Sequence, residues 1–225
     1  MSNPDHPLAF LLRPVGEPRI ATLAAAVIPL LALSALFVLL GSYAMPDGYS
    51  WRFHSISESA AQGQLGAWIA RLSFLCFGSA VFLLSLAMRD HWPRLTYWSN
   101  LIFAMSMFGA AAFSHAPWVR GQVVDPFEDF LHSVFASGMG FAFCVGVVAR
   151  FAQRGPRACL GRTLDALALV VATVLPLLLA SASNFGGLLQ RIMFGVAYVW
   201  FARESLVAPG LVREQNAASS VTPRR

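Results

Sequence analysis

The fold the amino-acid sequence predicts is all-α, a bundle of six membrane-spanning helices with both chain ends in the cytoplasm. Three observations carry this. Of 225 residues, 57% are hydrophobic and only 12% charged, about half the usual charged share of a soluble domain. The mean hydropathy is +0.61, and the apolar residues are pooled into long runs rather than spread through the chain. The basic residues are 16 Arg with no Lys, scattered in small groups between those runs. A soluble domain of this size needs more charge to wet its surface, which excludes an ordinary cytosolic enzyme. The sequence pI near 9.7 would imply nucleic acid only with one continuous basic patch. The scattered Arg groups give none, so no nucleic-acid partner is expected.

A spanning helix needs about 20 mainly apolar residues. Six stretches meet that need: Ile20–Ala44, Leu65–Met88, Leu95–His115, Phe130–Phe151, Thr163–Ser183 and Gly187–Leu206. Breakers separate them at Pro46-Asp47-Gly48, Pro93, Pro117, Gly155-Pro156, Asn184 to Gly187, and Pro209-Gly210. The first run is too long for a signal-peptide core, although Ser42-Tyr43-Ala44 would pass as a cleavage site. The last is the weakest, its short apolar centre flanked by Gln190, Arg191, Arg203 and Glu204. The domain is therefore 20–206, between a cytoplasmic segment 1–19 and a disordered cytoplasmic tail 207–225, polar and small-residue from Val212 onward. Ser106 and Ala110, and Ala136, Ser137, Gly138 and Gly140, are small residues that let neighbouring helices approach.

Orientation follows from Arg in the short loops. With the N-terminus inside, the cytoplasmic segments hold the Arg residues within 13–19, 89–94, 150–162 and 203–225, whereas the other side holds only Arg52 and Arg120. Arg71 and Arg191 fall inside spans close to the outer end, where each can snorkel outward. Trp51, Trp68 and Trp118 then form an outer aromatic belt, and Trp92 and Trp98 an inner one. Cys76, Cys144 and Cys159 make neither an even disulfide set nor a C-x-x-C pair. The first two read as small hydrophobes, and Cys159 sits in an Arg-rich loop where an activated thiolate is conceivable.

Polar chemistry collects on the outer side. The first outer loop carries His54-Ser55-Ile56-Ser57-Glu58. The second runs from His115 through Asp125, Glu128 and Asp129 to His132, and Gln190-Arg191 opens the last span. From a helix start near Phe127, Glu128 or Asp129 can share a face with His132. Five readings compete. The carboxylates can simply cap a helix and neutralise Arg71 and Arg191. His54, His115, Asp125 and His132 can hold a divalent metal such as zinc. Ser55 or Ser57 can be a nucleophile, with His132 as base and Asp125 or Asp129 orienting it. His115 and His132 can ligate a haem. The cluster can also bind a lipid or a partner membrane subunit without chemistry. His6 and His91 read as solvated, and Asp165 as a helix-start charge. No phosphate-binding G-x-x-x-x-G-K, dinucleotide G-x-G-x-x-G or H-E-x-x-H is present, so nucleotide-driven transport and zincin chemistry have no support. No ionisable group lies mid-span, against a proton-relay pump.

Ile56-Ser57-Glu58, followed by Gly66-Ala67-Trp68, Arg71, Phe74 and Gly78, resembles the start of the domain of unknown function 998 family. Asp125-Pro126 with His132, and Gly187-Leu188-Leu189-Gln190-Arg191 with Trp200, match two further family elements in order. The resemblance covers roughly residues 20–206. It implies a six-span prokaryotic membrane fold, distantly similar to eukaryotic six-span proteins implicated in GPI-lipid remodelling and autophagy modulation, and it implies no reaction. The chain departs from the family in His54, where Pro is frequent, and in a short Asp125-to-His132 gap.

The expectation is therefore a multi-pass protein of the bacterial plasma (inner) membrane. Ser57, Glu58, Asp125, His132 and Arg191 would converge, with Gln190 and Arg71 beside them, on an outward polar pocket. That pocket would take a membrane-lipid headgroup or similar amphiphile, with metal-assisted hydrolysis as its catalytic form. The rival is a non-catalytic scaffold or accessory subunit whose polar cluster is internal glue.

Overall fold

The computed structural model describes residues 17–181 and 183–221, which are all-helical, with no strand among them. Residues 1–16, with His6 and Arg13, and residues 222–225, with Arg224 and Arg225, lie outside the described residues. Six long helices coincide with the six apolar runs: α1 Glu17–Tyr43, α3 Ala67–Met88, α4 Arg94–Ala112, α5 Pro126–Gln153, α6 Cys159–Ser181 and α7 Gly186–Val221. A seventh, α2, is a single turn at Ile56–Ser59 inside the first long loop. Of these, α1, α3, α5 and α6 are each long and apolar enough to cross a membrane.

The helix starts and stops follow local chemistry. Asp125 is the N-cap of α5, its side chain accepting from the amides of Phe127 and Glu128, and Pro126 takes the first helical position, where a missing N–H costs nothing. A 3-10 turn at Ser183–Phe185 joins α6 to α7. The expectation of an unfolded tail meets a difference here. The backbone of α7 stays helical past Pro209 to Val221. The tail residues Arg213, Glu214, Gln215, Ala217 and Ala218 are helix formers, and that propensity is not cancelled by one proline.

Each long helix packs on the next in the order α1, α3, α4, α5, α6, α7, and α7 returns to α1, closing the ring. Phe77 of α3 is its hub, with the rings of Phe103, Phe194, Tyr198 and Phe201 at 4.6–5.8 Å. Ser34 of α1 ties three helices, donating to the Ser73 carbonyl at 2.7 Å and lying 2.8 Å from the Tyr198 hydroxyl. Gly109 lies under the Phe135 ring, so close that a Cβ there would collide with it. Gly138 faces Ser106 as the small-residue pattern predicts, whereas Gly140 meets nothing.

Large apolar side chains cover the outside, among them Leu36, Ile102, Phe141, Leu177 and Val199. A water-exposed bundle would hide these, and hydrocarbon would not. Trp51, Trp68 and Trp98 are exposed, as an aromatic belt requires. Trp92 is not part of it. It is 4% exposed and donates to a buried carboxylate described below. Trp118 is half-buried, its ring tilted against His54.

Candidate functional site

The polar residues of the two long loops build a cap over one end of the bundle. Ser55 and Glu58 form a capping box around α2. The Ser55 side chain accepts from the Glu58 amide and the Glu58 carboxylate accepts from the Ser55 amide at 2.5 Å. Glu58 is thus occupied with the backbone and pairs with no Arg among the described residues, contrary to its expected place beside Arg191. The same turn is pinned to α7, because Gln190 Oε1 accepts from the Ile56 amide at 2.5 Å.

Ser57 points to His132, which is 2% exposed. His132 Nε2 lies 3.0 Å from Ser57 Oγ, and Nδ1 lies 2.9 Å from the Phe113 carbonyl just past the end of α4. A carbonyl only accepts, so Nδ1 carries the hydrogen, and in the neutral ring Nε2 is the acceptor for the Ser57 hydroxyl. That is the tautomer a serine nucleophile needs. The orienting group, however, is a backbone carbonyl. Asp125 does not serve, because its side chain caps α5 while Gln62 clamps its backbone, accepting from the Asp125 amide and donating to its carbonyl. Asp129 does not serve either. It lies 2.8 Å from Nδ1 of His115 and accepts from the Ala116 amide, and Glu128 accepts from the Ser114 amide. The run of acids is spent on loop amides.

Arg191 turns inward rather than snorkelling. Its NH1 donates to the carbonyls of Trp51, His54 and Gly187 at 2.7–3.0 Å, and its NH2 to the hydroxyls of Ser42 and Tyr49. Gly187 makes this possible. Its amide and that of Leu188 donate to the carbonyls of Phe53 and Arg52, and a Cβ at Gly187 would collide with the carbonyl oxygens of His54 and Trp51. None of the acceptors of Arg191 is a carboxylate. With Leu39, Ser42, Tyr43, Tyr49 and Trp51 it lines an open groove of about 530 Å³. Arg71 is likewise without an acidic partner among the described residues, donating from Nε to the Ala60 carbonyl at 3.3 Å. The expectation that the carboxylates neutralise Arg71 and Arg191 is therefore corrected.

The expected metal set is not brought together. His54 stacks on Tyr49 and accepts from the Ser50 amide. Among the described residues no three His, Cys, Asp or Glu side chains group as ligands for a metal ion. His115 and His132 do face each other, their ring centroids 5.4 Å apart, but both nitrogens of His132 are already bonded. That geometry supports neither the zinc nor the haem reading. Ser57, Glu58, Asp125, His132 and Arg191 share one end of the fold without converging on one pocket.

A second polar cluster, at the opposite end, was missed. Glu204 of α7 is fully buried and accepts from Arg150 Nε at 2.9 Å, from Arg203 NH1 at 2.6 Å, from Arg154 NH2 and from the Trp92 indole at 3.0 Å. Asp165 of α6, also fully buried, accepts from Arg154 Nε at 2.6 Å and the Trp200 indole at 2.7 Å. Burial works against the charge on Arg154, but Glu204 and Asp165 outweigh it and raise its pKa above the ordinary arginine value. Asp165 is thus far more than a helix-start charge. The only sequence signal was a carboxylate at 165 and another at 204, each close to an Arg group that topology already explained.

A family model described as "Protein of unknown function (DUF998)" matches residues 27–203, and the chain belongs to that family. No curated protein and no solved structure matches it.

Proposed function

We propose that this member of the DUF998 family is a six-span membrane protein, N-terminus and C-terminus in the cytoplasm of a bacterial cell, that binds a phosphate-bearing lipid headgroup of the outer leaflet in the groove beside Arg191. One observation carries the reading: Arg191 lines a groove of about 530 Å³ and is held only by neutral acceptors. A cation removed from bulk water without a counter-charge is costly, and a lipid phosphate supplies that charge. The rim fits an amphiphile. Leu39, Tyr43 and Trp51 are exposed there, and an indole with a tyrosine at the groove mouth suits the headgroup level of a bilayer.

Phospholipid retained by the detergent-purified protein, counted as phosphorus per chain, tests this. Wild type and Arg191→Lys should retain it, and Arg191→Gln should lose at least about tenfold in occupancy. Trp51→Ala should weaken retention without disturbing the Arg191 hydrogen bonds, which use only the Trp51 carbonyl. Equal retention in wild type and Arg191→Gln refutes the reading and leaves the accessory-subunit alternative.

A second reading, acyl-group hydrolysis at Ser57, is favoured by the His132 tautomer alone. Ser57 is 8% exposed and no carboxylate orients His132, so the contact serves first as a strut joining α2 to α5. Labelling by a fluorophosphonate, lost in Ser57→Ala, is the result this second reading requires.

A further inference from the structure

We propose that the end of the bundle opposite the Arg191 groove carries a separate site for the phosphate of an anionic phospholipid, in the notch over Gly161 between Arg154 and Arg203. Thirteen residues of α7 separate Arg191 from Glu204, about 20 Å along a helix, so the two sites are independent.

The first ground is charge. Arg150, Arg154 and Arg203 surround two carboxylates, Glu204 and Asp165. One positive charge is left over in a cluster whose two carboxylates are fully buried, and its open side is at Arg203, whose side chain is 21% exposed while Arg150 and Arg154 are 7% and 9% exposed. Buried charges are ordinarily paired. The second ground is geometry. Arg154 spends Nε on Asp165 and NH2 on Glu204, and Arg203 spends NH1 on Glu204. The remaining terminal nitrogens, Arg154 NH1 and Arg203 NH2, have no acceptor among the described residues and meet over one glycine. A Cβ on Gly161 would stand 2.9 Å from the first and 2.8 Å from the second. Two like-charged forks converging without an acceptor match a tetrahedral oxyanion, and the start of α6 beneath them adds its partial positive charge.

The third ground decides the source. An apolar groove of about 130 Å³ lies between α6 and α7, lined by Leu164, Leu167, Gly195, Val196, Val199 and Trp200. Its Leu164 lies three residues after Gly161 on α6, and its Trp200 donates to Asp165, the partner of Arg154, so the groove and the charged cluster share these two helices. Leu160 of α6 and Leu206 of α7 are both 69% exposed. A soluble phosphate has no use for this apolar path, whereas an acyl chain does.

The test uses the full-length protein in a non-ionic detergent, with phosphatidylglycerol, phosphatidylcholine and inorganic phosphate added separately. Bound lipid is counted by native mass spectrometry, and the melting temperature is read in parallel. In Arg191→Gln, whose outer groove no longer takes a lipid phosphate, phosphatidylglycerol should still bind and raise the melting temperature, and phosphatidylcholine should do neither. Arg203→Gln, which balances the cluster, should weaken phosphatidylglycerol binding about tenfold or more. Gly161→Ala, whose methyl group would force both nitrogens from their places but keeps every charge, should do the same, and it serves if Arg203→Gln folds poorly. Arg191→Gln should leave this binding intact, so failure here and failure of the outer groove are distinguishable. Protection by phosphate equal to that by phosphatidylglycerol supports the anion site and overturns its lipid source. No preference for phosphatidylglycerol over phosphatidylcholine in wild type, with no effect of phosphate, overturns the proposal, as does unchanged binding in both variants.

Discussion

Replacing Glu204 by Gln removes a single charge and almost no volume, and it should be among the most damaging substitutions in the chain. Glu204 is fully buried and receives hydrogen bonds from Arg150, Arg154, Arg203 and Trp92. The amide can still accept from the Trp92 indole, but the three guanidinium groups are left with Asp165 as their only carboxylate. Breaking a buried ion network by removing one partner costs about 3–5 kcal/mol. For a chain of this length each kcal/mol moves the melting temperature by about 2–4 °C, so the midpoint should fall by roughly 6–20 °C. Intrinsic fluorescence during a thermal scan in detergent is the natural assay, since Trp92 and Trp200 both donate into the network. Asp90→Asn is the matched control. Asp90 is 46% exposed and 4.0 Å from Arg89, and an exposed pair of that kind contributes about 0–1 kcal/mol. A Glu204→Gln midpoint no further from wild type than that of Asp90→Asn would refute the argument that this charge is dry and indispensable.

Gly187→Ala should release the first long loop from α7, because the new methyl group collides with two carbonyl oxygens that Arg191 holds. Faster proteolysis near Trp51 to His54 and a loss of about 1–3 kcal/mol would register it. Gly109→Ala should cost a similar amount by displacing the Phe135 ring, with the α4–α5 pair separating first in hydrogen exchange. Ser57→Ala should cost about 1–3 kcal/mol, leaving His132 Nε2 without a donor in a buried site, and phospholipid retention at the Arg191 groove should not change. Cys159 is exposed and offers a test of orientation. A membrane-impermeant thiol reagent should label it in inside-out vesicles and not in intact cells, and the reverse would invert the assigned topology.

The six long helices were legible because prolines and glycines fall between the apolar runs, although α7 runs on as a helix through Pro209, the breaker at the end of the last run. Asp125-Pro126 marked the start of α5 in the same way, since cap and first-turn chemistry is local. Contacts were not legible. That Glu204 meets Arg150 and Arg154 depends on how α7 faces α5, and residues 50 or more positions apart carry no periodic trace of that facing. The Arg groups at 150–162 already had a sufficient explanation as positive-inside charge, which hid their second role. Arg191 misled for a related reason. Depth in a span predicts snorkelling, but carbonyls from a loop 137–140 residues earlier offered acceptors closer than the interface. His132 and Ser57 lie 3.0 Å apart, whereas the group that orients the ring was sought among nearby carboxylates and is the Phe113 carbonyl.

The grip of Arg191 on the first long loop also sets a clock. The carbonyl of Trp51 is made 140 residues before the guanidinium that donates to it, an interval of roughly 7–30 s at about 5–20 residues per second. Throughout that interval the loop has α1 and α3 around it but not the helix that fastens it. A chain released early, or one whose last helix fails to insert, presents those open carbonyls and a loose loop on the membrane face. Order in this early loop thus waits on one residue of the last long helix.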